Sequence, residues 1–97
     1  MAFLKLLKRV PKYFKRIMEY DENGNLIHFR DRDGFEEWCD YDDNNNIIHG
    51  KNNQDFEFWA KYDNEGHRIY YKTNKGYEET KKYINGKLEK VFYGKLT

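Results

Sequence analysis

The chain has 97 residues, of which 36% are charged and 19% aromatic, and its formal net charge is +1. This length allows one domain, and so large a charged fraction excludes an extensive hydrophobic core. The single cysteine, Cys39, excludes an intramolecular disulfide and favours a reducing compartment, so a cytoplasmic location is predicted.

The N-terminal segment predicts a basic amphipathic helix over residues 1–12. Its apolar side chains follow the i, i+3, i+4, i+7 pattern: Phe3, Leu6, Leu7 and Val10. Pro11, the only proline, is expected to end the helix. Lys5 and Lys8 interrupt the apolar run, so we predict neither a signal peptide nor a membrane span. Packing on the chain's own sheet is favoured over lying on a membrane surface.

Four tyrosines stand 21 residues apart and mark a tandem repeat: Tyr20, Tyr41, Tyr62 and Tyr83. Three full copies begin YDENGNLIH, YDDNNNIIH and YDNEGHRIY, and a fourth copy stops early. Residues 14–19 resemble the second half of a preceding copy. A period of this length is one supersecondary unit that must stack on its neighbours to bury apolar surface.

Each copy carries two turn signals separated by runs of roughly six β-forming residues, which is typical of a β-hairpin. The turns contain glycine or asparagine, which accept positive φ; Asp55 replaces the expected glycine in the second copy. Strands are predicted at 14–20, 26–31, 35–41, 47–51, 56–62, 68–73, 77–83 and 88–93. The predicted fold class is therefore mainly β, an antiparallel meander over residues 14–93 in a single domain of residues 1–97.

Apolar residues recur at equivalent positions and are expected to form ladders along one face of the sheet: Ile27, Ile48, Ile69, Phe35, Phe56, Tyr77, Trp38 and Trp59. If Tyr41 faces Ile47, then Trp38 lies opposite Gly50. A large ring over a bare glycine backbone would stabilise this pair of strands.

Charge is segregated along the chain. Residues 1–18 carry a net charge of +6, residues 19–66 a net charge of −10, and residues 67–97 a net charge of +5. Basic and acidic residues also recur across the second turn and are expected to face each other: Arg30, Lys51 and Lys72 with Glu36, Glu57 and Glu78. Two explanations stay open: solvation and internal pairing of charges, or a surface that steers a charged partner.

His28 and His49 occupy equivalent positions, and Tyr70 replaces them in the third copy, which indicates a site for a polar aromatic ring. In the register above, Cys39 would lie opposite His49. The spacing lacks the paired short intervals of a zinc site, so no metal site is predicted.

No catalytic set or cofactor motif is predicted either. Cys39 lacks an identifiable orienting group, as a nucleophile would need. The neighbouring carboxylates Glu36 and Glu37 should point to opposite faces of the sheet and so cannot flank one bond. Every glycine is placed as a hairpin turn or within a strand, which leaves no phosphate-binding loop. The sequence therefore predicts a protein that is not an enzyme and takes no cofactor.

The stretch Tyr20–His28 (YDENGNLIH) and its echo from Tyr41 resemble the YD repeat of the Rhs family. The stretch Tyr83–Leu88 (YINGKL) is similar to hairpin repeats of the second MORN type. The resemblance covers residues 14–93 and implies a curved β-sheet. Short free-standing chains with this repeat look like small bacterial and phage accessory proteins, which implies interaction rather than catalysis.

We therefore expect a non-enzymatic protein–protein interaction module, a phage or mobile-element inhibitor of a bacterial nucleic-acid-handling defence protein. Its acidic, aromatic middle would occupy a basic surface on that protein. The candidate contact residues are Glu36, Glu37, Trp38, Asp40, Asp42, Asp43, Asp55 and Glu57. A homodimer through a sheet face or an edge strand would complete the burial of the sheet.

The alternative function is nucleic-acid binding, in which lysines at the basic ends follow phosphates and tyrosines stack on bases. Its candidate residues, besides the N-terminal lysines, are Lys81, Lys82, Lys87, Lys90, Tyr70, Tyr71 and Tyr77. A net charge near zero counts against this alternative.

Overall fold

In the computed structural model, which describes residues 15–95, the chain forms one eight-stranded antiparallel sheet with its strands in sequence order. The strands are β1 (Arg16–Tyr20), β2 (Leu26–Asp31), β3 (Glu36–Tyr41), β4 (Ile47–Asn52), β5 (Glu57–Tyr62), β6 (Arg68–Thr73), β7 (Tyr77–Ile84) and β8 (Lys87–Lys95). The predicted antiparallel meander is confirmed. The helix predicted over residues 1–12 lies outside the described residues.

Each turn of the three full copies begins with a side chain that caps the backbone. In the first turn of each full copy (21–25, 42–46 and 63–67), an aspartate oxygen accepts hydrogen bonds from the backbone N–H groups two and four residues later: Asp21, Asp42 and Asp63. The second turns (31–35, 52–56 and 73–77) use the same arrangement with Asp31, Asn52 and Thr73. These caps satisfy turn N–H groups that have no strand partner.

The left-handed turn positions are where the sequence predicts them. Asn45 has a φ of 65° and stands where Gly24 has a φ of 85°. Asp55 has a φ of 64°, so the second turn without a glycine keeps the conformation of its neighbours. Asparagine and aspartate tolerate this region better than other residues with a side chain.

Asparagine side chains join successive second turns. Asn53 donates its side-chain amide to the Gly34 carbonyl at 2.6 Å and accepts from the backbone N–H of Glu36 at 3.1 Å. Asn74 repeats these contacts one copy later, with Asp55 and Glu57. Each hairpin is thereby fastened to the next outside the strand ladder.

A β-bulge beside each marker tyrosine shifts the strand register. Asp40 pairs with His49, whereas the next pair is Tyr41 with Ile47, so one residue of β4 is extra. The extra residues at the four bulges are Ile27, Ile48, Ile69 and Glu89. The repeated isoleucines are therefore the bulge residues rather than members of a regular ladder.

Because of the bulge between Asp40 and Tyr41, part of the predicted pairing of β3 with β4 is wrong. The Tyr41–Ile47 pair is confirmed, but the predicted Trp38–Gly50 and Cys39–His49 pairs are wrong. The extra residue displaces every pair beyond the bulge by one position. The observed pairs are Trp38–Lys51, Cys39–Gly50 and Asp40–His49.

The pairing divides the side chains between two faces, because directly opposed residues share a face and successive residues alternate. We call one the His–Trp face, after His28, Trp38, His49 and Trp59. The other is the aromatic face, which carries Phe29, Phe35, Phe56, Phe58, Tyr71, Tyr77 and Tyr93. The predicted common ladder is therefore wrong for the tryptophans, which lie opposite to the Phe35 series.

A single sheet gives this chain almost no core. Ile17 and Ala60 are the buried apolar residues among those described. On the aromatic face, rings with centroids 5.6–6.3 Å apart form a continuous series: Phe56, Phe58, Tyr71, Tyr77 and Tyr93. The Phe58 ring covers Gly50 so closely that a Cβ there would overlap it. The ring over glycine expected from Trp38 is thus supplied by the next strand.

Candidate functional site

The centre of the His–Trp face is a histidine held between two carboxylates. His28 on β2 places Nδ1 2.6 Å from Oε1 of Glu19 on β1, and Nε2 2.6 Å from Oε2 of Glu36 on β3. The indole of Trp38 stacks on the imidazole, with ring centroids 5.6 Å apart and planes 16° apart. Three strands thus fix one imidazole in position and orientation.

The second copy repeats this arrangement, which we call the clamp. His49 places Nδ1 2.8 Å from Oδ2 of Asp40 and Nε2 2.6 Å from Oε2 of Glu57. The indole of Trp59 stacks on it with centroids 5.7 Å apart. Lys72 lies on the other side of this indole, with Nζ 6.0 Å from the ring centroid. Trp59 thus lies between the imidazole of His49 and the ammonium group of Lys72, and the attraction of the ammonium group to the ring favours this orientation.

The clamp requires a proton on each ring nitrogen. A carboxylate only accepts hydrogen bonds, so a neutral imidazole can satisfy one of its two neighbours and an imidazolium can satisfy both. Partial burial lowers the pKa of His28, but its hydrogen bonds with Glu19 and Glu36 outweigh burial and raise it above the ordinary value. The hydrogen bonds with Asp40 and Glu57 raise the pKa of His49.

The third copy lacks the clamp. Tyr70 takes the histidine's place and donates its hydroxyl to Oε2 of Glu78 at 2.6 Å, which raises the pKa of the phenol. Lys61 stands where the other copies have a carboxylate, with Nζ 5.6 Å from the Tyr70 centroid. Thr80 replaces the tryptophan. The phenol satisfies one acceptor, so this copy needs no additional proton.

Both indoles are fixed yet remain accessible to solvent. Trp38 is 41% exposed and Trp59 is 38% exposed. Trp59 separates two shallow, open depressions, one of about 560 Å³ beside His49 and Tyr70 and one of about 530 Å³ beside Lys72 and the turn after it. The His–Trp face therefore presents rigid aromatic edges above recesses.

The structure divides the eight predicted partner-contact residues. Four of them lie together on the His–Trp face: Glu36, Trp38, Asp40 and Glu57. Glu37 lies on the aromatic face. Asp42 and Asp43 lie in a first turn, whereas Asp55 lies in a second turn at the opposite ends of the strands.

The predicted basic–acidic ladder has the predicted register, because Arg30–Glu36, Lys51–Glu57 and Lys72–Glu78 are observed pairs. The three carboxylates nevertheless form their hydrogen bonds with other side chains: Glu36 with His28, Glu57 with His49 and Glu78 with Tyr70. Within residues 15–95 no ion pair joins the predicted partners. The hydrogen bonds between the two histidines and these carboxylates were not predicted, although each histidine has an acid nine residues before it and another eight residues after it.

Carboxylates are concentrated at the first-turn end of the sheet. The three first turns contain six carboxylates and no lysine or arginine: Asp21, Glu22, Asp42, Asp43, Asp63 and Glu65. The three second turns contain three carboxylates and two bases. Backbone hydrogen bonds lower the pKa of Asp21 and Asp42, so these caps stay charged in mild acid.

The residues proposed for nucleic-acid binding do not form one track. Tyr70, Lys82 and Lys90 lie on the His–Trp face, and Lys87 begins β8. The remaining members lie on the aromatic face: Tyr71, Tyr77 and Lys81.

Glu79 engages two of the aromatic-face members of that set. The hydroxyl of Tyr77 donates to Glu79 at 2.7 Å, which raises the pKa of Tyr77 to about 12. Nζ of Lys81 lies 3.5 Å from the same carboxylate. Tyr77 and Lys81 therefore interact with Glu79 on the aromatic face, whereas Lys82 and Lys90 lie on the opposite face.

Metal binding and membrane insertion find no support in the described part of the chain. No three or more histidine, cysteine or carboxylate side chains of residues 15–95 converge on a point that could hold a metal ion. In each clamp the two carboxylates approach opposite nitrogens of the ring, so they do not share one ligand position. None of the described residues forms a helix long and apolar enough to cross a bilayer.

No protein-family model matches the sequence, and a search of curated proteins finds no match. The resemblance to the YD repeat of the Rhs family and to MORN repeats therefore stays a prediction. Any account of function has to come from the geometry of the two faces and the ends of the sheet.

Proposed function

We propose that this chain is a non-enzymatic protein-interaction module that contacts its partner through the His–Trp face. The observation that carries the proposal is the pair of exposed indoles, Trp38 and Trp59, each fixed by a clamped imidazole. Tryptophan is enriched among residues that dominate binding energy at interfaces. A side chain already fixed in the free protein loses less conformational entropy on binding, so it contributes more of its contact energy to affinity.

The charge of the sheet supports a cationic partner surface. The first-turn end, with its six carboxylates, lies beside Asp40 and the depression next to Trp59. Such a concentration of one sign steers a basic partner and speeds its association. A groove that binds nucleic acid is a basic surface of this kind. The finer proposal is a phage or mobile-element inhibitor of a bacterial nucleic-acid-handling protein, acting in the cytoplasm.

The clamp geometry also favours binding over acid–base chemistry. Both nitrogens of His28 and of His49 are already bonded to carboxylates, so neither ring offers a free nitrogen to a substrate. A general base must reach the proton it removes. The imidazoles instead support the neighbouring indoles.

The test is affinity capture from a bacterial lysate, with bound proteins identified by mass spectrometry. Trp38→Ala with Trp59→Ala is expected to lose the captured partner, with affinity lowered about tenfold or more. Tyr20→Ala is the control, because Tyr20 is an aromatic residue outside this face that is even more exposed, at 54%. Retention of every partner by the double variant would reject the His–Trp face as the contact surface.

A second set of variants tests the sign of the partner's charge without opening a clamp. Glu22→Lys, Asp43→Lys and Glu65→Lys reverse exposed turn charges and leave the capping aspartates intact. We expect slower association and a weaker dependence on salt. If the chain instead binds oligonucleotides with an affinity that falls steeply with salt, the alternative function is supported. Light scattering measures the expected homodimer independently of either outcome.

A further inference from the structure

Each indole of the His–Trp face is held by a ring that itself depends on one proton. His28 donates from both nitrogens only as an imidazolium, to Glu19 and to Glu36, each 2.6 Å away. When the ring gives up one proton to water, one of its nitrogens becomes an acceptor that faces a carboxylate oxygen, which is also an acceptor. Two acceptors cannot share a hydrogen bond, so that side of the clamp opens.

The stacked indole depends on the position of the imidazole. Trp38 packs on His28 with ring planes 16° apart and centroids 5.6 Å apart. A charged imidazolium attracts the face of an indole more strongly than a neutral imidazole does. Loss of the proton therefore removes both the fixed orientation of the His28 ring and part of its attraction to Trp38. The indole gains rotamer freedom as the clamp opens.

The charged groups on the His–Trp face around His28 come from three strands: Glu19, Arg30, Glu36 and Asp40. The two carboxylates that bond His28 are largely shielded from water, with side-chain exposures of 27% for Glu19 and 22% for Glu36. A shielded acceptor replaces a lost hydrogen bond with water only by moving. Deprotonation of His28 therefore requires a rearrangement around Trp38.

The charged groups around His49 are Asp40, Asp42, Lys51, Glu57 and Lys61. The side chain of Asp40 is 70% exposed, so this carboxylate can turn into water when the ring loses its proton. Trp59 also has Nζ of Lys72 on its other side. Trp59 is therefore expected to keep more of its orientation than Trp38 when the clamps open.

We infer that the two clamps regulate partner binding at the His–Trp face through proton uptake: the protonated clamps hold the indoles in position, and loss of a proton releases them, Trp38 more than Trp59. This inference rests on the proposed function for the partner contact, whereas the release of the indoles is a property of the free chain. A partner that needs fixed indoles binds the protonated form better, so its binding also favours proton binding by both rings.

The pH at which the indoles are released follows from the charge of the clamps. Burial lowers the pKa of His28 but its carboxylates raise it overall, and the carboxylates around His49 raise the pKa of that ring. The clamps are therefore closed below the ordinary histidine pKa, and they open as the pH rises through the raised value.

The first measurement follows each indole in the free chain. Trp59→Phe leaves Trp38 as the only tryptophan, and Trp38→Phe leaves Trp59. Quenching of the Trp38 fluorescence by acrylamide should increase about twofold from about pH 6 to about pH 9, and quenching of Trp59 should increase less. Circular dichroism at both pH values checks that the sheet stays folded. Equal quenching of Trp38 at the two pH values would overturn the proposal.

Glu36→Gln tests whether the proton is the cause. The glutamine amide can donate to a neutral ring nitrogen, whereas a carboxylate can only accept, so this variant closes the clamp without the added proton. In the chain whose only indole is Trp38, quenching should then stay low at both pH values. Glu57→Gln alters the other clamp and is the matched control, which should leave the response of Trp38 unchanged. A response in Glu36→Gln as large as in its parent would also contradict the inference.

The protein captured from the lysate serves for the second measurement. Its affinity for the wild-type chain should be about tenfold lower at about pH 9 than at about pH 6, because binding must then immobilise two released side chains. Release also adds negative charge to the face, but at physiological salt exposed charges contribute less than this loss.

The two proposals fail in different ways. Equal affinity at both pH values, with the double variant Trp38→Ala and Trp59→Ala still losing the partner, would reject the regulation alone. Retention of the partner by that double variant would reject the contact face and, with it, the regulation of binding.

Discussion

The two halves of the sheet use one backbone for two different polar arrangements. In β1–β5 a histidine lies between two carboxylates and against a tryptophan, on the His–Trp face, and this arrangement occurs twice. In β6–β8 the same position is a tyrosine, and the main polar network centres on Glu79 on the aromatic face. Because the turn caps and bulges recur in both halves, the backbone does not depend on which arrangement is present. The strand positions are thus free to carry different binding properties.

A substitution at Gly50 should give the largest change in stability that distinguishes the second copy from the other two. Phe29 and Tyr71 occupy its position in the first and third copies, whereas in the second copy the ring of Phe58 fills the space. Gly50→Val should lower the free energy of unfolding by about 2–3 kcal/mol, because the new side chain overlaps that ring. Urea unfolding followed by circular dichroism measures the change.

The control for this prediction is the double variant Gly50→Val with Phe58→Ala. Removing the ring gives the valine room, so the two changes should be less damaging together than their separate losses predict. Additive losses would show that the overlap is not the cause.

Glu79 tests the polar network of β6–β8. Its carboxylate is 7% exposed, accepts from Tyr77, and lies 3.3 Å from Nη2 of Arg68. The hydrogen bond from Tyr77 leads the interactions that lower the pKa of Glu79. The resulting stability is present above the carboxyl's ordinary pKa and is lost as the pH falls through the lowered value. Glu79→Gln should therefore cost about 1–2 kcal/mol at neutral pH.

Absorbance titration of the tyrosines gives a second measurement on the same variant. The pKa of Tyr77 should fall from about 12 towards its ordinary value when Glu79 is replaced by glutamine. Glu78→Gln is the matched control, since its carboxylate accepts from Tyr70 on the other face. A pKa of Tyr77 that is the same in the Glu79 variant and the wild type would contradict the network.

The clamps make the stability of β1–β5 sensitive to pH. Both histidines have a raised pKa in the folded chain, so the stability they add is complete below the ordinary histidine pKa and is lost as the pH rises through the raised value. We expect the free energy of unfolding to fall by about 1 kcal/mol per clamp from mildly acidic to mildly alkaline pH. The variant His28→Tyr with His49→Tyr copies the third repeat and should abolish this dependence. If the free energy of unfolding of the double variant depends on pH as strongly as that of the wild type, groups other than the two histidines cause the dependence.

The strands and turns could be predicted from sequence because their signals are local. Residues that accept positive φ, such as Gly24 and Asn45, recur at a fixed period between runs of β-formers. The register across the tight second turn was also predictable, since few residues separate Arg30 from Glu36. A short connection leaves little freedom in pairing.

Alternation along β3 already places Trp38 on the face opposite to Phe35, whereas the cross-strand partner of Trp38 and the clamps were not predictable by the same means. At the bulges of the three full copies the extra residue is an isoleucine beside another apolar or aromatic residue, so alternation along the strand does not reveal it. A shift by one residue moves Trp38 from its expected partner Gly50 to Lys51. The choice of Glu36 between Arg30 and His28 depends on side-chain reach across three strands, which a sequence pattern does not contain.

The smallest effect, and the most direct comparison of the halves, comes from building a clamp in the third copy. Lys61→Asp, Tyr70→His and Thr80→Trp reproduce the residues of the second copy beside the existing Glu78. The change in stability should be below about 1 kcal/mol at neutral pH, because one bonded aromatic ring replaces another. An NMR titration should nevertheless show a new histidine whose pKa is raised like those of His28 and His49. A new histidine with an ordinary or lowered pKa would mean that the clamp needs more than these side chains. The differences between the halves would then lie in the backbone rather than in the positions exchanged here.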